Sequence, residues 1–361
     1  MRQLRQRYPK YRYNSYRGRG GGSPVRLIIL LLVVLLIACA FWFAQRYVVY
    51  SADGSFHFEF PWSQRQSEPE SEQPDEQTPA QDLEIIIEEP EEPEPPPVPD
   101  LHAYALDASV LQGGSTKALA QLSESDANAL VIPVKNSRGQ LLYPSQLEEA
   151  KKVGAIVGGS IAASAIEELN ASDCTTIARI ATLHDSLFAY AHMADAAVQQ
   201  IKYSGYVWYG PNETFYLAPE KELTRQYLSD IAVECAELGF DELLLDEFSY
   251  PTVGRLSNIN TSGRTMTQTQ ALALTATEIK AAIKSYDVKL SVVMDAETVL
   301  AGENAVSGQS LPDFAQIFDR IYVPATPEQL PALREALAES PAELIPILST
   351  PIEDGPYLIG N

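Results

Sequence analysis

The chain has 361 residues, with 26 Lys and Arg against 48 Asp and Glu, and its net charge is −22 at pH 7. Residues 1–50 carry +9, residues 51–100 carry −14 and the remainder carries −17, which excludes one uniform domain along the whole length. The three cysteines lack metal-like or redox spacing, which excludes a disulfide framework. Buried free thiols are favoured over the one remaining option, a Cys174 to Cys235 bridge.

The first 44 residues predict a membrane anchor. Residues 1–24 are basic, Tyr-rich and Gly-rich, and they predict a disordered cytoplasmic tail. Residues 25–44 are apolar over about the 20 residues that a membrane-spanning helix needs. Basic residues ahead of the span hold the N-terminus in the cytoplasm. This role accounts for the positive charge of the tail, so no nucleic-acid partner is predicted. A cleaved signal peptide is disfavoured, because its apolar part is usually about 7 to 15 residues.

Residues 45–100 are acidic and rich in proline, and they predict an extended extracytoplasmic linker. The expected location is therefore the cell membrane, crossed once, with the rest of the chain outside the cytoplasm. An alternative is that the protein works through its basic tail, for example on anionic lipid.

From residue 101 onwards, short apolar runs alternate with helical patterns. Nearly all of these runs are separated by helices, which predicts an α/β fold, a (β/α)8 TIM-like barrel over residues 101–361. A doubly wound open sheet is the alternative, but no G-x-G-x-x-G or P-loop follows any strand. The predicted strands cover residues 101–109, 127–135, 155–157, 175–185, 243–245, 289–297, 320–325 and 343–350.

Polar residues recur where these strands end, which is where active sites of such barrels gather. Singly, each is explained by a helix cap or a salt bridge. Together they predict a site, with two adjacent acids after the strand at residues 243–245. The predicted site residues are Asp107, Lys135, Arg179, Asp185, Asp246, Glu247, Asp295 and Glu297.

Carboxylates and aromatic rings at one barrel mouth are what a sugar site requires. Glycoside cleavage uses one carboxylic acid to protonate the leaving oxygen and one carboxylate as nucleophile or base. Trp208, Tyr209 and Tyr250 are the aromatic candidates for substrate binding, although the same rings could pack the barrel top. The histidines have no metal-binding grouping and no GxSxG occurs, so neither a metal, a cofactor nor a serine nucleophile is predicted.

The sequences of several stretches, in their order along the chain, resemble those of a bacterial family of glycoside-hydrolase-like TIM barrels. Members of that family are often displayed outside the membrane. The most specific stretch is GFDELLLDEFSYP at residues 239–251, and LSVVMDAE at residues 290–297 is another. The resemblance implies that Asp246 is the catalytic position and that the later strand delivers Asp295.

The same resemblance shows departures from the family pattern. Pro133 and Asn136 stand where acids are usual, and Glu247 and Ser249 stand where an aromatic residue and an arginine are usual. The prediction is a membrane-anchored extracytoplasmic hydrolase of a polysaccharide or cell-wall glycan. Its catalytic residues would be Asp246 as nucleophile or stabiliser and Glu297, Asp295 or Glu247 as general acid. The alternative is an inactive barrel that binds glycan or a partner protein.

Overall fold

The computed structural model describes residues 48–50, 56–58, 100–158, 161–203 and 205–360. The chain divides into two compact units, residues 1–92 and 93–361. The predicted tail and the predicted membrane span lie outside the described residues. Among the residues that are described, no helix is both long enough and apolar enough to cross a membrane.

The described residues of the first unit form a short antiparallel pair of strands, Val48–Tyr50 and Phe56–Phe58, with Val48 opposite Phe58. These strands fall inside the stretch predicted as linker. The rest of that stretch, apart from Asp100, lies outside the described residues.

The second unit is a closed barrel of eight parallel strands, which confirms the predicted fold class. Each strand pairs with its sequence neighbours, and the eighth pairs with the first to close the barrel. The strands are β1 (His102–Ala105), β2 (Ala129–Lys135), β3 (Thr175–Ala181), β4 (Glu242–Asp246), β5 (Lys289–Val293), β6 (Arg320–Pro324), β7 (Glu343–Leu348) and β8 (Tyr357–Ile359).

Helices cover the outside of the barrel, as expected for parallel strands that must be buried on both faces. The longest two, Glu222–Glu237 and Gln268–Ile283, are 16 residues each and flank β4 and β5. The helices are α1 (Thr116–Glu124), α2 (Glu148–Lys152), α3 (Ala163–Asn170), α4 (Ser186–Ala191), α5 (Glu222–Glu237), α6 (Gln268–Ile283), α7 (Ala296–Ala301), α8 (Leu311–Ile317) and α9 (Leu330–Ala336).

Two hydrophobic layers hold this arrangement together. Inside the barrel, one side chain from most strands meets at the axis, including Val131, Ile177, Leu244 and Leu358. Outside it, the opposite faces of the strands pack against the helices. Because side chains alternate along a strand, both layers come from the same short apolar runs.

The predicted strands differ from the observed ones at two places. Residues 155–157 do not join the barrel, since Ile156 forms only an isolated bridge with Leu141. The eighth strand is instead Tyr357–Ile359, which the sequence pattern missed. Residues 349–356 link β7 to β8 without a helix.

Cys174 and Cys235 are free and buried, which confirms the preferred interpretation. Desolvation raises the pKa of the Cys235 thiol to about 12, so this thiol is protonated and unreactive at neutral pH.

Candidate active site

Two cavities open where β4 ends, and they share Asp246 and Glu247 as part of their walls. The Asp107 cavity has a volume of about 320 Å³ and also contains Arg179 and Lys135. The Asp295 cavity has a volume of about 260 Å³ and also contains His184 and Tyr250. The carboxylate pair therefore lies between two spaces, a position from which it can act on a bond that joins two bound groups.

Arg179 on β3 holds the carboxylate of Asp246. Its Nε and Nη2 each lie 2.7 Å from Asp246 Oδ2. The other oxygen, Oδ1, accepts a 2.8 Å hydrogen bond from the backbone N–H of Glu247. The side chain of Asp246 is 18% exposed. Arg179 and the backbone N–H hold both oxygens of the carboxylate in place, so the geometry suits a nucleophile or a stabiliser of positive charge.

Glu247 turns away from the strand with a φ of 50°, a left-handed conformation that is uncommon for a glutamate. Its Oε1 accepts a 2.9 Å hydrogen bond from Ser137 Oγ and lies 3.3 Å from His184 Nδ1. Its Oε2 is buried and has no hydrogen-bond partner among the described residues. A buried polar atom without a partner is costly, so this oxygen is available to a ligand.

The surroundings of Glu247 lower the pKa of its carboxyl group. Burial alone would raise the pKa, but hydrogen bonds from His184 and Ser137 and the positive charges of His184 and Lys135 outweigh it. Glu247 is therefore ionised at neutral pH, which suits a base or a hydrogen-bond acceptor better than a proton donor.

His184 is a site residue that the sequence interpretation missed. It lines the Asp295 cavity and stacks on Tyr216, with ring centroids 4.6 Å apart and an angle of 3° between the rings. Its Nε2 is buried without a hydrogen-bond partner in the described part of the chain. His184 follows β3 by three residues, so the rule that identified its neighbour Asp185 could have found it.

Of the other predicted acids, Asp107 and Asp295 each line one of the two cavities and Glu297 lines neither. Asp107 lines the Asp107 cavity and caps a short 3₁₀ helix by accepting a 2.8 Å hydrogen bond from Ser109 N. Asp295 is exposed, lines the Asp295 cavity and precedes α7. Glu297 lies in the first turn of α7, is exposed and lines neither cavity.

Lys135, which lines the Asp107 cavity, forms an ion pair with Asp185, with Nζ and Oδ2 2.9 Å apart and both side chains fully buried. Lys135 also donates to the backbone oxygen of Ala181 over 2.6 Å. Asp185 caps α4 by accepting from Phe188 N. Gly139, with a φ of 90°, passes over Asp185 so closely that a Cβ atom would lie 1.9 Å from Oδ1. The pair thus fixes the β2 turn and α4 beneath the site, and substrate contact by either residue stays a prediction.

The three aromatic candidates do not share one role. Tyr250 lines the Asp295 cavity and donates a 2.5 Å hydrogen bond to Glu220. Trp208 is buried and donates to the backbone oxygen of Arg255, so it packs the loop above the barrel. Tyr209 is 52% exposed and lines neither cavity. Substrate binding by these three residues stays a prediction.

Metal binding has no evident site in the described residues, where no three His, Cys, Asp or Glu side chains are grouped to hold an ion.

Comparisons with known proteins give a family for the chain and a similar fold. A family model described as "Putative glycosyl hydrolase domain" matches residues 107–327. The glycoside hydrolase domain of PgaB (BpsB) from Bordetella bronchiseptica superposes with a TM-score of 0.52 at 15% identity, covering 73% of this chain and 94% of that one. A GH20 exo-β-N-acetylglucosaminidase from Vibrio harveyi has a TM-score of 0.46 at 11% identity, covering 69% and 41%. No curated protein matches the chain.

Proposed function

Because the chain belongs to the family described as "Putative glycosyl hydrolase domain", we propose that it cleaves the glycosidic bonds of a polysaccharide or cell-wall glycan. The observation that carries this proposal is the Asp246–Glu247 pair between two cavities, one of which also contains Asp295. A glycosidic bond over this pair would place one sugar unit in each cavity.

Asp246 acts as the anionic partner in this proposal. Arg179 and the Glu247 backbone hold its carboxylate in one orientation, as required of a nucleophile or of a stabiliser of the oxocarbenium-like transition state. Asp295 is the general acid, since it lines the same cavity and its side chain is not engaged in capping α7. The free Oε2 of Glu247 and Nε2 of His184 bind sugar hydroxyls.

The test is hydrolysis of cell-wall and storage glycans by the full-length chain. Asp246→Asn should lower turnover by at least about a hundredfold, whereas Asp287→Asn, an exposed acid ahead of β5, should leave it unchanged. Unchanged turnover in Asp246→Asn would reject the assignment. Glycan binding without any turnover would favour the alternative function, an inactive glycan-binding barrel.

A second comparison separates the candidate acids. Asp295→Asn should slow hydrolysis of natural glycans but spare para-nitrophenyl glycosides, because a good leaving group needs little protonation. Glu297→Gln is the matched control and should behave as the wild type. The reverse result would move the general acid to Glu297.

The proposal places the enzyme outside the cytoplasm on a membrane anchor, supported by the apolar run at residues 25–44 and the basic residues before and within it. Deleting residues 25–44 should release the protein from the membrane fraction. External protease should degrade the barrel in spheroplasts of cells with the intact chain. Protection of the barrel from protease would contradict this orientation.

A further inference from the structure

A third cavity, named here the Phe215 cavity, lies beside the candidate active site and shares no residue with it. Its volume is about 780 Å³, larger than either of the other two cavities described above. Leu187, Tyr190 and Phe215 form much of its apolar wall. Nothing in the proposed chemistry uses this space.

One short ladder separates the Phe215 cavity from the active site. His184 and Tyr216 face each other in an antiparallel bridge, and both line the Asp295 cavity. Phe215, next to Tyr216, lines the Phe215 cavity instead, and so does Ser186 at the start of α4. Successive side chains of an extended chain point to opposite sides, so Tyr216 faces the Asp295 cavity and its neighbour Phe215 faces the Phe215 cavity.

Two aromatic rings, Tyr190 and Phe215, line this cavity, and the ring of Tyr209 packs against Phe215. The rings of Tyr190 and Phe215 are 6.0 Å apart between centroids and within 19° of parallel. The ring of Tyr209 meets Phe215 edge-on at 5.3 Å. Tyr190 is 57% exposed and Tyr209 is 52% exposed. Clustered aromatic rings on a surface commonly mark a binding site, since water contact with their faces is unfavourable.

The backbone beneath these rings is held in place. Phe215 N donates a 3.1 Å hydrogen bond to Ser186 Oγ, and Phe215 O accepts a 3.2 Å hydrogen bond from Asp185 N. Leu187 N donates to the backbone oxygen of Arg138 over 3.1 Å. The wall is therefore ordered before a ligand binds, and binding loses little free energy to ordering it.

The polar residues of the cavity suit hydroxyl groups better than a charged ligand. Arg138, Gln140, Asn212, Glu213 and Thr214 supply both donors and acceptors, and the two charges among them are opposite. Arg138 forms no ion pair with any residue that the structure describes.

We propose that the Phe215 cavity is a second glycan-binding site, in which Tyr190 and Phe215 stack on sugar rings of the polysaccharide distant from the cleaved bond. This inference rests on the proposed function, since a long glycan is the ligand that can reach both sites. The second site increases the affinity for long chains and leaves short substrates unaffected.

The experiment measures binding by calorimetry in the full-length chain carrying Asp246→Asn, which prevents turnover. The probes are hexasaccharides of β-1,4-glucose, β-1,4-N-acetylglucosamine and α-1,4-glucose, together with the corresponding disaccharides. Adding Tyr190→Ala should weaken hexasaccharide binding by about fivefold, the effect of losing one stacking contact. Disaccharide binding should not change. Tyr203→Ala is the matched control, because Tyr203 is a similarly exposed tyrosine, at 53%, outside this cavity.

Equal hexasaccharide binding by the Tyr190→Ala and Tyr203→Ala proteins would overturn the proposal, as would binding of none of the three hexasaccharides. The proposal would also be overturned by a partner protein whose binding requires Tyr190 and is not displaced by any of the glycans. The outcome is independent of hydrolysis, since every protein compared carries Asp246→Asn. Absence of turnover in the wild type would therefore reject the proposed function and leave this binding result standing.

Discussion

Glu247 occupies a backbone conformation that its side chain disfavours. Its φ of 50° belongs to the left-handed region, which costs a non-glycine residue roughly 1–2 kcal/mol. Strain of this kind persists where the surroundings hold the residue for a function. Here Ser137 and His184 hold the carboxylate between the two cavities.

The first prediction compares Glu247→Gly with Glu247→Ala. Both changes remove the carboxylate, but only glycine adopts the left-handed conformation without strain. We expect the glycine variant to exceed the alanine variant in free energy of unfolding by about 1 kcal/mol, measured by urea denaturation. Both variants should lose glycan turnover. Equal stabilities would show that the backbone relaxes when the side chain is removed.

The second prediction concerns pH. The native pKa of Glu247 lies below its unfolded value, so its ionised form contributes stability above the ordinary glutamate pKa of about 4.3. That contribution is lost as pH falls through the lower native pKa. The wild type should therefore exceed Glu247→Gln in free energy of unfolding at pH 7, and the difference should shrink below about pH 4. A difference that stays constant between pH 7 and pH 3 would contradict the lowered pKa.

At the residue scale, the sequence could identify candidates but not their partners. The sequence pattern indicates Asp246 because it ends an apolar run, and Arg179 because it lies in another strand. Their 2.7 Å contact spans 67 positions and follows from the register of β3 against β4, which no local pattern encodes. The left-handed turn at Glu247, which directs its carboxylate towards His184, has no sequence signal either, since glycine is the usual residue there.

At the scale of elements, β8 closes the barrel with only three residues. Tyr357–Ile359 pairs with β7 on one side and with β1 on the other. Leu358 is buried in the layer inside the barrel, beside Ala103 and Ile345. Without this strand, β1 and β7 would be open edges.

The third prediction is that Leu358→Ala lowers the free energy of unfolding by about 2–5 kcal/mol, the usual cost of a buried cavity of this size. Thermal denaturation is the measurement. Glu353→Ala, an exposed change in the loop before β8, is the control and should have little effect. A small loss in Leu358→Ala would mean that β8 is dispensable for closure.

The strand pattern predicted eight strands, and the count was right although one member was wrong. AIV at residues 155–157 has the apolar character of a strand, but it extends the turn after β2 and pairs only with Leu141. YLI at residues 357–359 is as short, and it lacks the preceding helix that marked the others. Closure of the barrel selects between them, and closure is a property of the whole sheet.

At the scale of the whole molecule, one end of the barrel contributes to stability and the other end carries the candidate active site. At the N-terminal ends of the strands, the buried Glu242 accepts from Ser291 Oγ over 2.6 Å, from Tyr322 OH over 2.8 Å and from Arg320 Nη1 over 2.6 Å. In TIM barrels, residues at the N-terminal ends of the strands usually contribute to stability, and the opposite face carries the chemistry.

The fourth prediction tests that division. Arg320→Met leaves the Glu242 carboxylate buried without its cation and should cost about 3–5 kcal/mol of unfolding free energy. Turnover per folded molecule should not change, since Arg320 lies at the end of the barrel away from Asp246. Arg320→Met with Glu242→Gln should recover part of the lost stability. Reduced turnover at full folding would place Arg320 in contact with the active site.

The charge of the barrel sequence makes a final prediction about substrate. Residues 101–361 carry −17, so the domain repels anionic polymers and attracts cationic ones over roughly the Debye length of about 10 Å at 0.1 M salt. At low salt, kcat/KM should rank chitosan first, a neutral glucan second and a polyuronate last, among glycans that are cleaved at all. Raising the salt concentration should reduce the rate for chitosan and leave the neutral glucan unchanged. Faster turnover of the polyuronate would show that local contacts at the mouth override the field of the whole domain.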